Sequence, residues 1–77
     1  MKLDKLIKET FSLAAETKIQ DDQGPGDLEG WDSLGHVNLI NVIESKYSVS
    51  LALDEMMEIE KVSDIRKLLE SKGASGF

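Results

Sequence analysis

Apolar and polar positions alternate along this chain with a helical period in several stretches, separated by polar connections. Apolar positions three and four residues apart predict a first amphipathic helix over about 2–16. The apolar residues of this stretch are Leu3, Leu6, Ile7, Phe11 and Ala14, with Leu13 beside them.

A second helix is predicted from Asp32 to about Tyr47. Asp32 is a favoured N-cap residue because its carboxylate accepts hydrogen bonds from the first-turn N–H groups. Gly35 stands where a capping box would place a glutamate. On a helical wheel, one apolar arc must face the core, with Val37 and Val42 at its edges. That arc holds Leu39, Ile40, Ile43 and Tyr47.

The rest of the chain predicts a loop, a short helix and a last helix. Val49 and Leu51 should face inward from a loop over 48–53, since no second strand candidate exists to pair with it. A short helix over 54–60 should partly bury its apolar members, and the last helix should end before Gly73. The apolar residues of these two helices are Met56, Met57 and Ile59, then Val62, Ile65, Leu68 and Leu69.

Together these elements predict an all-α fold, a small four-helix bundle with three longer helices and one short helix. We expect a single domain over 1–77 with a flexible tail over 73–77. The opening segment is charged and amphipathic rather than a signal peptide, and no apolar run could span a membrane. A cytoplasmic monomer is the expectation.

The connection over 17–31 is long and acidic. It contains the only proline and three of the six glycines. Such a loop is either functional or pinned by apolar anchors, and Ile19 and Leu28 are the expected anchors. A calcium site is disfavoured, because Gln23 and Pro25 fall where an EF-hand needs oxygen ligands. We therefore predict no metal site among its acidic residues, which are Asp21, Asp22, Asp27 and Glu29.

Charge and cysteine content narrow the function classes. The net charge is −6 and there is no cysteine. Residues 16–60 hold eleven acidic residues against two lysines, a field that repels nucleic acid and attracts basic protein surfaces. No disulfide or thiolate metal site is possible, and any thiol chemistry must come from a cofactor.

The start of the second helix carries two features of interest. Leu34 falls opposite the apolar arc, so a large apolar side chain is exposed, either as an isolated surface residue or as a docking residue. Ser33 lies one residue past the cap, where unpaired N–H groups and the helix dipole favour a phosphate ester. By residue type alone, Ser33 can equally be a helix-start residue or a phosphorylation site.

The run Gly30-Trp31-Asp32-Ser33-Leu34-Gly35-His36-Val37 resembles the phosphopantetheine attachment segment of acyl and peptidyl carrier proteins. The similarity covers nearly the whole chain, including the opening helix, the acidic loop and the acidic short helix. It implies that Ser33 receives 4'-phosphopantetheine from coenzyme A, with Asp32 as the helix cap beside it. It also implies a carrier with no catalytic residues of its own.

The resemblance further implies partners: a phosphopantetheinyl transferase, then acyl-loading and acyl-processing enzymes with basic docking surfaces. The residues expected to meet them are Leu34, Asn38, Asn41, Glu44, Asp54 and Glu55. Fatty-acid carriers typically continue the motif with an acidic residue and place more acids along this helix. Here Gly35, Asn38 and Ser45 stand instead, which favours a specialised carrier for lipid, polyketide or other biosynthesis.

Some alternatives stay open. An aminoacyl or peptidyl carrier would use the same serine, and an unmodified helical adaptor would bind partners through the Leu34 face. Met56, Met57 and Ile59 could line an acyl tunnel or simply pack in the core. Trp31 could pack on His36 across the cap or lie exposed as a recognition residue.

Overall fold

Four helices make up the computed structural model, which describes residues 2–74 and 76–77. No β-strand occurs in this described part, so the predicted all-α fold and helix order are confirmed. The helices are α1 (Leu3–Thr10), α2 (Ser33–Tyr47), α3 (Leu53–Glu58) and α4 (Val62–Ser71). No helix among these residues is long and apolar enough to cross a membrane.

α1 ends at Thr10, so the prediction of a helix to residue 16 is wrong. Ser12 adopts a left-handed conformation with φ of 54°. The Leu13 N–H then donates to the Lys8 carbonyl at 2.8 Å, and the Ser12 N–H donates to the Glu9 carbonyl at 3.3 Å. This pair of bonds is a Schellman motif, which terminates a helix. Ala14 consequently lies beyond the helix and is exposed rather than on its buried face.

The long loop before α2 is fixed to the start of α4. The N–H of Val62 donates to the Gln23 carbonyl at 2.8 Å, and that of Ser63 donates to the Asp21 carbonyl at 3.0 Å. Leu28 is buried in the core and Ile19 packs against it, as predicted for the loop anchors. The loop is therefore held in place by backbone hydrogen bonds to the start of α4 and by apolar contacts with the core.

The core is formed by residues of α1, α2 and α4 and by three residues outside the helices. The predicted α2 arc is confirmed, since Leu39, Ile40 and Ile43 are at most 1 % exposed and Tyr47 is half-buried. Trp31 is also only 1 % exposed and belongs to this core. The buried residues are Leu3, Leu6, Ile7, Leu28, Trp31, Leu39, Ile40, Ile43, Ile59, Val62, Ile65 and Leu69.

α3 contributes little to this core. None of its own residues is buried, and Ile59, which is 6 % exposed, lies just past its end. Met56 is half-buried, but Met57 is 74 % exposed, so the prediction that Met57 is partly buried is wrong. Met57 therefore lines no interior tunnel. Val49 and Leu51 pack against the core from the loop before α3, as predicted.

Arg66 of α4 and Phe77 contact earlier parts of the chain. Arg66 pairs with Asp4 of α1 and, at 2.9 Å, with Asp21 of the loop. Burial opposes the charge of Arg66, but hydrogen bonds and charges from these two carboxylates outweigh it, and the pKa of Arg66 is raised. In the predicted tail, the Phe77 ring meets Tyr47 edge to face at 6.3 Å. Residue 75 of that tail lies outside the described residues.

Candidate functional site

Ser33 is the first residue of α2 and is exposed. The preceding residue, Asp32, is the N-cap, and its Oδ1 accepts a hydrogen bond from the Gly35 N–H at 2.8 Å. The Asp32 carbonyl accepts from the His36 N–H at 2.7 Å. The N–H groups of Ser33 and Leu34 come before the first intrahelical bond, where an anion is favoured. The hydroxyl is thus presented to solvent beside an electropositive helix start.

Gly35 lets the loop approach the helix at this point. A Cβ built on Gly35 would lie 1.9 Å from the Gly30 carbonyl oxygen and 3.1 Å from the Phe11 ring. Gly30 itself has φ of 90°, a conformation that side chains rarely adopt. A side chain at position 35 would therefore clash with the loop backbone, which fits the glycine that follows the Asp-Ser-Leu sequence.

Trp31 lies between the loop, α1 and α2. Its ring stacks near Phe11 with centroids 6.0 Å apart and near His36 with centroids 6.2 Å apart. The indole N–H donates to His36 Nδ1 at 3.0 Å. The structure thus decides between the two alternatives for Trp31, which packs on His36 and is not exposed.

His36 continues this contact to α3. Its Nε2 lies 3.0 Å from the Met56 carbonyl oxygen. An indole nitrogen can only donate, so His36 Nδ1 is the acceptor and Nε2 carries the proton. The neutral ring therefore donates to Met56, and one chain of hydrogen bonds joins Trp31, α2 and α3.

In the part of the chain that the structure describes, four large apolar side chains of α2 and α3 are exposed, and we call them the apolar rim. Leu34 is 84 % exposed, which confirms its predicted position opposite the core. Because His36 contacts Met56, the first turn of α2 lies next to α3, and the rim spans both helices. Its members are Leu34, Val37, Leu53 and Met57.

The polar residues expected to bind partners fall into two groups. Asn38, Asn41 and Asp54 are exposed. Glu44 and Glu55 make bonds within the chain: Glu44 Oε2 accepts from the Leu51 N–H at 2.9 Å, and Glu55 Oε1 accepts from the Ala52 N–H at 2.9 Å. Both carboxylates thus hold the last two residues of the loop between α2 and α3.

Glu55 also pairs with Lys72 at 2.9 Å. The Ala52 hydrogen bond first, and then Lys72, lower the pKa of Glu55 below its ordinary value. These two contacts favour the charged form of the Glu55 carboxylate. The carboxylate is thus engaged by Ala52 and Lys72 of the same chain.

The acidic residues of the long loop serve the fold. Asp27 Oδ2 accepts from the Gly24 N–H at 2.8 Å, and Asp21 accepts from Arg66. In residues 2–74 and 76–77, no group of three or more acidic or histidine side chains is arranged to hold a metal ion.

Sequence reasoning gave the packing of Trp31 on His36 as one alternative, but it missed two parts of this site, the His36–Met56 hydrogen bond and the tight approach at Gly35. The first joins residues 20 positions apart, and no local pattern indicates it. The second depends on Gly30 and Gly35 meeting in space, which neither glycine reveals by itself.

The chain is similar in fold and sequence to a solved carrier structure. The solution NMR structure of holo acyl carrier protein from Geobacter metallireducens superposes with a TM-score of 0.82 and 28 % sequence identity. The match covers 91 % of this chain and 79 % of that one. No protein-family model and no curated protein matches the chain.

Proposed function

We propose that this chain, a member of the acyl carrier protein family, carries acyl or related intermediates as thioesters on a 4'-phosphopantetheine arm attached to Ser33. The observation that carries the proposal is the exposed Ser33 hydroxyl at the start of a capped helix, in a fold shared with a holo acyl carrier protein. That fold is one of a carrier and not of an enzyme.

The residues around Ser33 fit a phosphodiester. The exposed Oγ is open to the transferase, and the first-turn N–H groups favour the negative charge of the attached phosphate. Asp32 caps the helix start by accepting a hydrogen bond from the Gly35 N–H. The arm supplies the thiol on which cargo is held, because the chain has no cysteine.

The docking surface we propose for partner enzymes is the apolar rim with the neutral face of α2. Along that face the exposed residues are Asn38, Asn41 and Ser45, and Glu44 is bonded to the backbone. Charge pairs across an interface mainly accelerate encounter, whereas exposed apolar side chains supply affinity once buried. We expect partners with an apolar docking surface and a weak salt dependence, supplemented by basic groups facing Asp54 and Glu58.

Attachment is tested by incubating the chain with coenzyme A, magnesium and a broad-specificity phosphopantetheinyl transferase, followed by intact-mass measurement. One phosphopantetheine increment is expected for the native chain and for Ser45→Ala, which alters an exposed serine on the same helix. Ser33→Ala should show none while keeping its helical circular dichroism. No increment on the native chain with any transferase would favour the unmodified adaptor.

The partner set is tested by loading the modified chain with a malonyl transferase of fatty-acid synthesis, beside a standard acidic carrier. Slower loading of this chain is expected, because its α2 lacks the acidic residues that such enzymes contact. Equal rates would contradict a specialised carrier in lipid, polyketide or other biosynthesis. Aminoacyl cargo would appear instead as loading by an aminoacyl-activating enzyme.

We place the carrier function in the cytoplasm and assign it to the monomer.

A further inference from the structure

α3 is attached to the rest of the molecule by few contacts. It is six residues long and buries none of them. One tether is the Glu55–Lys72 pair, which lies on the exposed side toward α4. The other polar tether is His36, which donates to the Met56 carbonyl from the first turn of α2. Short helices with little burial open at low free energy, so the His36 contact has a large share in holding α3 beside Ser33.

The His36 contact requires a neutral ring. Trp31 can only donate, so His36 Nδ1 must keep a free lone pair to accept its N–H. A proton added at Nδ1 would place two N–H donors opposite each other. Trp31 is 1 % exposed and cannot turn its N–H to water without leaving the core. A buried donor left without a partner is unfavourable, so protonation must move the ring or the indole.

We propose that Trp31, His36 and Met56 form a proton-sensitive latch that fixes α3 against the first turn of α2, and that protonation of His36 releases α3 from the neighbourhood of Ser33. Release would move Leu53 and Met57, which lie on α3, relative to Leu34 and Val37, which lie on α2. The release of α3 does not require modification of Ser33 and can be measured on the unmodified chain. Its consequence for partner docking rests on the proposed function.

Charged residues stand on each segment packed against the Trp31–His36 pair. The loop segment that holds Trp31 contributes carboxylates, and so does α3, while Phe11, which stacks near Trp31, closely follows a lysine and a glutamate at the end of α1. None of these groups is an imidazole, because His36 is the only histidine in the sequence. These groups are Glu29, Asp32, Asp54, Glu55, Glu58, Lys8 and Glu9.

The test uses the unmodified chain and two NMR measurements. At pH 8 the ring nitrogen shifts of His36 should report a proton on Nε2 and none on Nδ1. From pH 8 to pH 5, the protection of the Met56 and Met57 amides against solvent exchange should fall about tenfold relative to α4 amides, the loss expected for about one hydrogen bond. A proton on Nδ1 at pH 8, or constant protection while His36 titrates, would overturn the latch.

Two variants separate the parts of the latch. Trp31→Phe keeps an aromatic ring but removes the indole donor, so the pH step in α3 protection should disappear while the His36–Met56 bond remains. His36→Phe keeps the ring stacking and removes both bonds, so protection should be low at both pH values. A full pH step in either variant would assign the response to another group. None of these readouts uses the transferase, so failure of the latch and failure of Ser33 modification are observed separately.

Discussion

α2 begins with the exposed Ser33, and α3 contacts its first turn through His36, yet the two helices are held in opposite ways. α2 is 15 residues long, is capped by Asp32, and buries Leu39, Ile40 and Ile43. α3 has six residues, buries none, and presents Leu53 and Met57 to solvent. Ser33 therefore stands on a well-packed helix, whereas the proposed latch and part of the proposed docking surface lie on a helix with little burial.

The largest expected difference comes from truncating one apolar residue in each helix. Leu39→Ala removes a fully buried side chain and should lower the free energy of unfolding by about 2–5 kcal/mol. Met57→Ala removes a side chain that is 74 % exposed and should change it by less than about 0.5 kcal/mol. Urea unfolding measures both. Similar losses for the two variants would mean that α3 is as integral to the core as α2.

The close contact between Gly30 and Gly35 should reverse the usual effect of replacing a helical glycine by alanine. Alanine normally stabilises a helix relative to glycine by about 1 kcal/mol. At Gly35 the added Cβ meets the Gly30 carbonyl, so Gly35→Ala should instead destabilise the fold by about 1–3 kcal/mol. Asn38→Ala, at an exposed position of the same helix, is the matched control and should be near neutral. A more stable Gly35→Ala variant would show that the loop does not press on the helix.

The cap of α2 should have a smaller effect. Asp32→Ala removes the acceptor for the Gly35 N–H and should lower the free energy of unfolding by about 1 kcal/mol. Asp32→Asn keeps an oxygen acceptor and should retain most of the stability. Thermal unfolding of the two variants distinguishes the hydrogen bond from the charge. Equal losses would assign the effect to the carboxylate charge near the helix dipole.

The smallest expected effect is a pH response at the start of α3. The pKa of Glu55 is lowered in the folded chain, so its hydrogen bond to Ala52 is fully formed above the ordinary glutamate value of about 4.3 and is lost as the pH falls through the folded value. The Ala52 amide shift should follow this titration by NMR. In Glu55→Gln the shift should be independent of pH in that range. A shift that moves only near neutral pH would attribute the change to the latch.

The sequence pattern predicts helices well where one face is buried. The apolar arc of α2 and the exposed Leu34 follow from helical periodicity, as do the limits of α4. The end of α1 does not, because Ser12 terminates it in a left-handed conformation that glycine usually supplies. The exposure of Met57 does not follow from the pattern, because α3 is too short for its apolar residues to define a buried face.

Part of the candidate site can likewise be predicted from the sequence, and part of it cannot. Asp32 as the cap and Ser33 at an exposed helix start follow from local residue chemistry, and the structure places both there. The burial of Trp31 and its bond to His36 depend on how the long loop folds back on α1 and α2. Periodicity carries no information about such an arrangement, because the loop has no repeating pattern.

The contact between Gly30 and Gly35 also restricts how this surface can be redesigned or can evolve. An acidic residue introduced at position 35 by a single substitution should be destabilising, since the loop backbone occupies the space that its side chain needs. Giving this helix start an acidic residue without that cost requires the loop over 24–32 to be exchanged together with the first turn of α2. Loop and helix start therefore form one unit for redesign.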